Sequence, residues 1–149
     1  MAYETTAVAV SKSQDAIRKL IYAHKGTGLM LVSKPPHEGF EAFIEIEAQP
    51  YHVRIMAQCK DVSKDKYGYR RSGNPLAKAL DQENRRVWRV LYWHLKALFE
   101  AADSGVIDIR NIIMPYVVLN DGLTLADHIR PRMGELMTIN PDRLLGAGQ

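Results

Sequence analysis

Residues 40–59 read FEAFIEIEAQPYHVRIMAQC, and their pattern decides the fold. Apolar and polar residues alternate through 40–48 and again through 51–59, the period of a strand with one buried face. A fold at Gln49-Pro50 sets Ile46 opposite Val53 and Ile44 opposite Ile55 on that face. The other face then pairs Glu45 with Arg54 and Glu47 with His52, opposite charges directly across a ladder. Pro50 at the second turn position points to a longer or cis-proline turn.

Upstream, Thr5 to Val10 (TTAVAV) is small or β-branched and reads as a short strand. Ser11 with Gln14 then has the spacing of a capping box, and Ala16, Ile17, Leu20 and Ile21 mark the apolar face of a helix that Gly26 stops. Gly28 to Ser33 is a second strand, closed by Pro35-Pro36.

Downstream, 60–73 (KDVSKDKYGYRRSG) has no apolar period and reads as a mobile loop. Asn74 and Pro75 are a cap and a first helical residue, and the chain then runs to Asp103 without glycine or proline. That length gives a helix of about 28 residues, ~40 Å at ~1.5 Å per residue, ended by Gly105. Leu80, Val87, Leu91, Leu95, Leu98 and Ala102 form its stripe, widened by Trp88 and Phe99. Asn120-Asp121-Gly122 is a turn, Thr124 caps another helix, and Pro131 kinks it or ends it early.

The expected fold is therefore α+β: an antiparallel three- to four-stranded sheet with a short N-terminal helix and one long helix packed on one face. A single domain fits the 149 residues: a β-α-β-β-β core to about 59, a basic loop 60–73, a long helix 74–104 and a C-terminal extension 105–149. No apolar run is long enough to span a bilayer, the N-terminus shows no leader pattern, and one cysteine, Cys59, fits a reducing compartment. These features point to a cytoplasmic protein without a membrane partner.

Sites for chemistry are sparse. His24, His37, His52, His94 and His128 lack metal-site spacing, and nucleotide-loop and hydrolase motifs do not occur, so no cofactor, metal site or catalytic residue is assigned. Arg89 and His94 have the spacing used by HEPN-type ribonucleases, an all-helical architecture at odds with the hairpin. Glu45, Glu47, Asp61 and Asp65 offer carboxylates to a metal-dependent nuclease if they converge. Catalysis stays open, and a non-catalytic binder is favoured.

The basic loop carries more. Lys60, Lys64, Lys66, Arg70 and Arg71 outnumber Asp61 and Asp65, an excess that equals the net charge of +3 for the whole chain. Tyr67 and Tyr69 interleave with these cations, and cations for phosphates beside rings for bases are what single-strand binding uses. Arg85, Arg89, Tyr92 and Lys96 form a second row on the long helix.

Val8-Ala9-Val10-Ser11-Lys12-Ser13 before a helix, the strand–turn–strand of 43–55, Trp88-Arg89, 96–101 with Gly105, and Tyr116 to Gly122 with Thr124 resemble a group of small uncharacterised proteins of bacteriophages, prophages and related mobile elements. The likeness runs from about Thr6 to Leu145. It implies a bacterial host cell and a role beside DNA replication, recombination or evasion of host defence, and it carries across no catalytic residue. The expected function is a nucleic-acid-binding accessory protein. The alternative is a protein-interaction module, an oligomeric part or an inhibitor of a host complex, with exposed aromatic surface on the long helix as its mark.

Overall fold

The structure, a computed structural model, describes residues 3–137. The part of the extension beyond residue 137 lies outside the described residues. The elements are α1 (Val10–Ala23), β1 (Gly26–Lys34), β2 (His37–Ile46), β3 (Gln49–Gln58), α2 (Gly73–Asp103), α3 (Ile109–Ile113), α4 (Leu125–Ile129) and α5 (Met133–Leu136), with 3-10 turns at Met114–Tyr116 and Arg130–Arg132. The fold is α+β, with one antiparallel three-stranded sheet in the order β1-β2-β3.

Period-two alternation sends Phe40, Ala42 and Ile44 of β2 and Val53 and Ile55 of β3 to one face, where they are buried. Ile17 and Ile21 of α1 and Val87, Trp88, Leu91, Leu95 and Phe99 of α2 close the core over that face. At about 25 cal/mol per Å² of apolar area, this burial is the main force holding both helices to the sheet. The stripe on α2 matches the sequence reading except at Leu80, which is 50% exposed. The other sheet face carries Met30, Glu41, Phe43, His52 and Arg54.

The hairpin's faces are as expected, and its register is not. Ile44 pairs with Tyr51, Phe40 with Ile55 and Glu41 with Arg54, a slip of four residues from the expected pairing. Glu47 and Ala48 form the turn, with φ of 52° and 66°, the positive pair that suits a two-residue turn between twisted strands. An even slip keeps every side chain on its face, so the buried set is unchanged. Pro50 falls opposite Glu45, next to the closing pair Ile46–Gln49, where its missing N–H removes no ladder bond. The cis peptide bond is at Pro35-Pro36, not at Pro50. The cross-strand ion pairs move with the register: Glu41 accepts from both His52 and Arg54, while Glu47 faces Arg110 at 3.5 Å.

Other expectations near the N-terminus are also corrected. Thr5 to Val10 is not a strand: Tyr3 to Thr5 form a turn, Val10 already belongs to α1, and the segment between them is held by a helix side chain. The Gln82 amide on α2 donates to the carbonyls of Glu4 and Thr6, both at 3.0 Å. Helix α1 starts at Val10 with Ala9 as an N-cap that makes no side-chain bond, so Ser11 and Gln14 form no capping box. Ser13, fully buried, instead receives Arg89 from α2. Lys25, not Gly26, takes the left-handed turn after α1. Gly26 is the first residue of β1, where a Cβ would fall 2.2 Å from Ile21 Cγ2, so close packing demands glycine there. Farther on, the Thr124 capping box forms with Asp127, and α4 gives way before Pro131.

Candidate nucleic-acid interface

The basic loop is not the mobile connection its composition suggests, because backbone bonds fold residues 63–71 into a small tongue. Arg71 N–H donates to the Ser63 carbonyl at 2.8 Å, Asp65 N–H to the Tyr69 carbonyl at 2.9 Å, and Lys64 bridges Arg70. One oxygen of Asp65 accepts from the N–H groups of Tyr67 and Tyr69, at 2.8 and 3.0 Å. An aspartate doing this is a side-chain turn that replaces strand pairing at the tip. Gly68, at φ 86°, supplies the reversal. Within the tongue, the Arg71 guanidinium donates to the carbonyls of Val62 and Lys64, so this cation is part of the frame.

The tongue's base is fastened to α2. Glu83 is 4% exposed, and its carboxylate accepts from Arg86 at 2.6 and 2.8 Å and from Lys60 N–H at 2.6 Å. Burial alone would push this carboxyl up, but the Arg86 and Lys60 bonds outweigh it and hold it below the usual range. The neighbouring Cys59 thiol, pushed up by burial, donates to Asn84 at 3.7 Å, in keeping with a structural role. A cavity of about 340 Å³ lies between tongue and helix, with Lys60, Lys64, Lys66, Arg71 and Arg86 among its lining residues.

At the tip, Tyr67 and Tyr69 are each 73% exposed. Lys66 Nζ lies 5.0 Å from the centroid of the Tyr67 ring. Among the described residues, Lys64, Lys66 and Arg70 have no carboxylate within ion-pair distance. Lys60 reaches Glu4 at 3.5 Å.

The row on α2 is built differently. Arg85 pairs with Asp81 at 2.9 Å. Arg89 donates twice to the Ser13 hydroxyl, at 3.2 and 3.1 Å, and lies over Tyr92 at 4.6 Å, so it ties α1 to α2. Lys96 sits between Glu100, at 3.9 Å, and the Trp93 ring, at 4.7 Å. Trp93 also meets Tyr92 edge-on and stacks on Tyr3. Of the eleven residues singled out from the sequence, the tongue gathers Lys64, Lys66, Tyr67, Tyr69, Arg70 and Arg71, with Lys60 at its base; Arg85, Arg89, Tyr92 and Lys96, like Lys60 and Arg71, have partners inside the fold.

Comparison with protein-family models, curated proteins and solved structures found no match to this chain.

The tongue and its anchor must therefore be read from their own chemistry. Sequence reading missed Glu83, Arg86 and Asp65 as the groups that set the tongue's shape. Two signals were available: the Glu83-x-x-Arg86 spacing and an aspartate three residues before Gly68. The catalytic constellations do not assemble. Arg89 turns to Ser13, while His94 Nε2 lies 2.7 Å from the Tyr116 hydroxyl. Glu45 and Glu47 sit at the turn end of the β2–β3 hairpin, and Asp61 and Asp65 follow its opposite end. Among the described residues, no group of three or more histidine, cysteine, aspartate or glutamate side chains is placed to hold a metal ion. None of the described helices is long and apolar enough to cross a membrane.

Proposed function

We propose that this chain binds single-stranded nucleic acid through the tongue, as an accessory to the replication or recombination of a phage or related mobile element. The observation that carries the reading is the pair Tyr67 and Tyr69, 73% exposed on a hydrogen-bonded backbone frame, beside Lys64, Lys66 and Arg70, which make no close ion pair among the described residues. The frame fixes the backbone that carries both rings and leaves the rings themselves in water. A frame set before binding lowers the ordering cost of association, and each ring can stack a base for ~1–3 kcal/mol. Lys64, Lys66 and Arg70 supply phosphate contacts around the rings.

The test is fluorescence anisotropy with labelled single-stranded and duplex oligonucleotides of one sequence. Three phosphate contacts give a log–log salt slope near −2, at ~0.7 per phosphate for a single strand. Preference for the single strand is expected. No binding at low salt, or a flat salt response, overturns the reading.

A protein-interaction module is the second reading. Its support is an apolar groove of about 470 Å³ lined by Met114, Pro115, Leu125, Ile129 and Met133.

A further inference from the structure

We propose that the outer edge of β1 joins a second copy of this chain, antiparallel strand to antiparallel strand, about a two-fold axis through Val32. The two edges of the sheet differ. On the β3 side, Val118 N–H donates to the His52 carbonyl at 2.8 Å and Val117 bridges Val53, so the next segment of the chain covers that edge. On the β1 side, no other segment pairs with the strand among the described residues.

An open edge displays alternate backbone donors and acceptors, and their complement is another extended backbone. Proteins usually blunt such an edge with proline, charge or a bulge. Here a bulge at Gly28, φ 65°, interrupts only the first part of β1. Beyond it, Met30 to Lys34 pairs regularly with Glu41 to His37. That stretch holds no proline and a single charge, Lys34 at its end, and it exposes Met30 by 54% and Leu31 by 38%.

The sequence of this stretch selects its own copy as the partner. Pairing about Val32 sets Met30 opposite the partner's Lys34, Leu31 opposite the partner's Ser33, and Val32 opposite itself. Side chains opposite one another in an antiparallel pair share a face. The aliphatic stem of Lys34 then covers the exposed Met30 while its ammonium stays in water. The two Lys34 side chains are four rungs apart, ~14 Å, beyond the screening length of ~10 Å at moderate salt. No like charges meet, and the outcome is one six-stranded sheet. Five rungs bury less than the ~1,200 Å² of a permanent interface, so the dimer is reversible.

Sedimentation velocity of the full chain from micromolar to high-micromolar concentration tests this, with a dimer fraction that rises with concentration. Met30→Lys places an ammonium opposite the partner's Lys34 at both symmetric positions and weakens dimerisation about tenfold. The fold is kept, because position 30 neighbours Glu41 in its own sheet, and circular dichroism checks it. Adding Lys34→Glu to Met30→Lys restores the dimer by making the same contact an ion pair. A chain that stays monomeric throughout, or a double variant that fails to recover, overturns the proposal.

Discussion

Lys66 lies over Tyr67 on the tongue and Lys96 lies over Trp93 on α2, at 5.0 and 4.7 Å, yet the two pairs have different surroundings. Lys96 also has Glu100 within 3.9 Å, and Trp93 is braced by Tyr3 and Tyr92. Lys66 has no carboxylate at ion-pair distance among the described residues; the acid next to it, Asp65, is engaged by the N–H groups of Tyr67 and Tyr69. A carboxylate beside a cation offsets part of its charge, so the pair draws a phosphate less strongly than a cation without one, even though an exposed ion pair is itself weak. The same residue types thus act as internal fastenings on α2 and as a free surface on the tongue. Clusters of charge and aromatics therefore show an interface only once their partners are known.

The largest change should come from the anchor that keeps the two regions distinct. Glu83→Ala leaves Arg86 and Lys60 N–H without their shared acceptor, and removing one member of a buried pair costs about 3 kcal/mol. Chemical denaturation should show this loss, together with faster amide exchange at 60–71 and unchanged exchange in the hairpin. The depressed Glu83 carboxyl contributes its stability above the usual carboxylate range and loses it as pH falls through the folded value. A tongue whose exchange is unmoved by this substitution is not held by Glu83.

Next in size are the rings. Tyr67→Ala combined with Tyr69→Ala should weaken single-strand binding by ~1–3 kcal/mol per stacked base, with stability unchanged because neither ring is packed. Arg89→Ala should show the reverse pattern. It removes a charged donor from buried Ser13 and costs about 1.5 kcal/mol of stability, with little change in oligonucleotide affinity. If Arg89 and the tyrosines exchange these effects, the division between tongue and helix is wrong.

The smallest effect lies at the far end of α2. His24 stacks on Phe99 and places its two ring nitrogens 2.8 Å from the Leu20 carbonyl and 2.9 Å from the Asp103 carboxylate. Burial opposes the charged ring, but the Asp103 and Leu20 bonds prevail and the imidazole is raised. A raised histidine contributes fully below its ordinary value of about 6.5, and the contribution fades as pH climbs through the folded value. Melting temperature should fall slightly more between about pH 6 and about pH 8 in the native chain than in His24→Asn. Oligonucleotide binding should keep its preference for the tongue over that range.

What the sequence disclosed, and what it hid, follows the range of the forces involved. Alternation in 40–59 reports which face of each strand is buried, since burial acts on every residue separately. It cannot tell registers apart that differ by an even number, and the turn at Glu47-Ala48 has neither the glycine nor the asparagine that marks such turns. The strand expected at 5–10 does not form, and the group that holds this segment, Gln82, is more than seventy residues away. The tongue's cations and tyrosines were legible from composition. Its shape was not, because one aspartate side chain and a buried Glu83–Arg86 pair stand in for the apolar pattern that sequence reading follows. The helix row did not stay free for two reasons: Asp81 and Glu100 stand four residues from Arg85 and Lys96, a spacing legible on a helix, whereas the hold of Ser13 on Arg89 joins residues 76 apart and appears only in three dimensions.

Salt titration of oligonucleotide affinity, run on two charge-removal variants side by side, tests the division most directly. Replacing Lys64, Lys66 and Arg70 with alanine should flatten the log–log slope by about 2, while replacing Arg85 and Lys96 should leave it where it was. Equal flattening by both variants, or by the helix variant alone, would contradict the account.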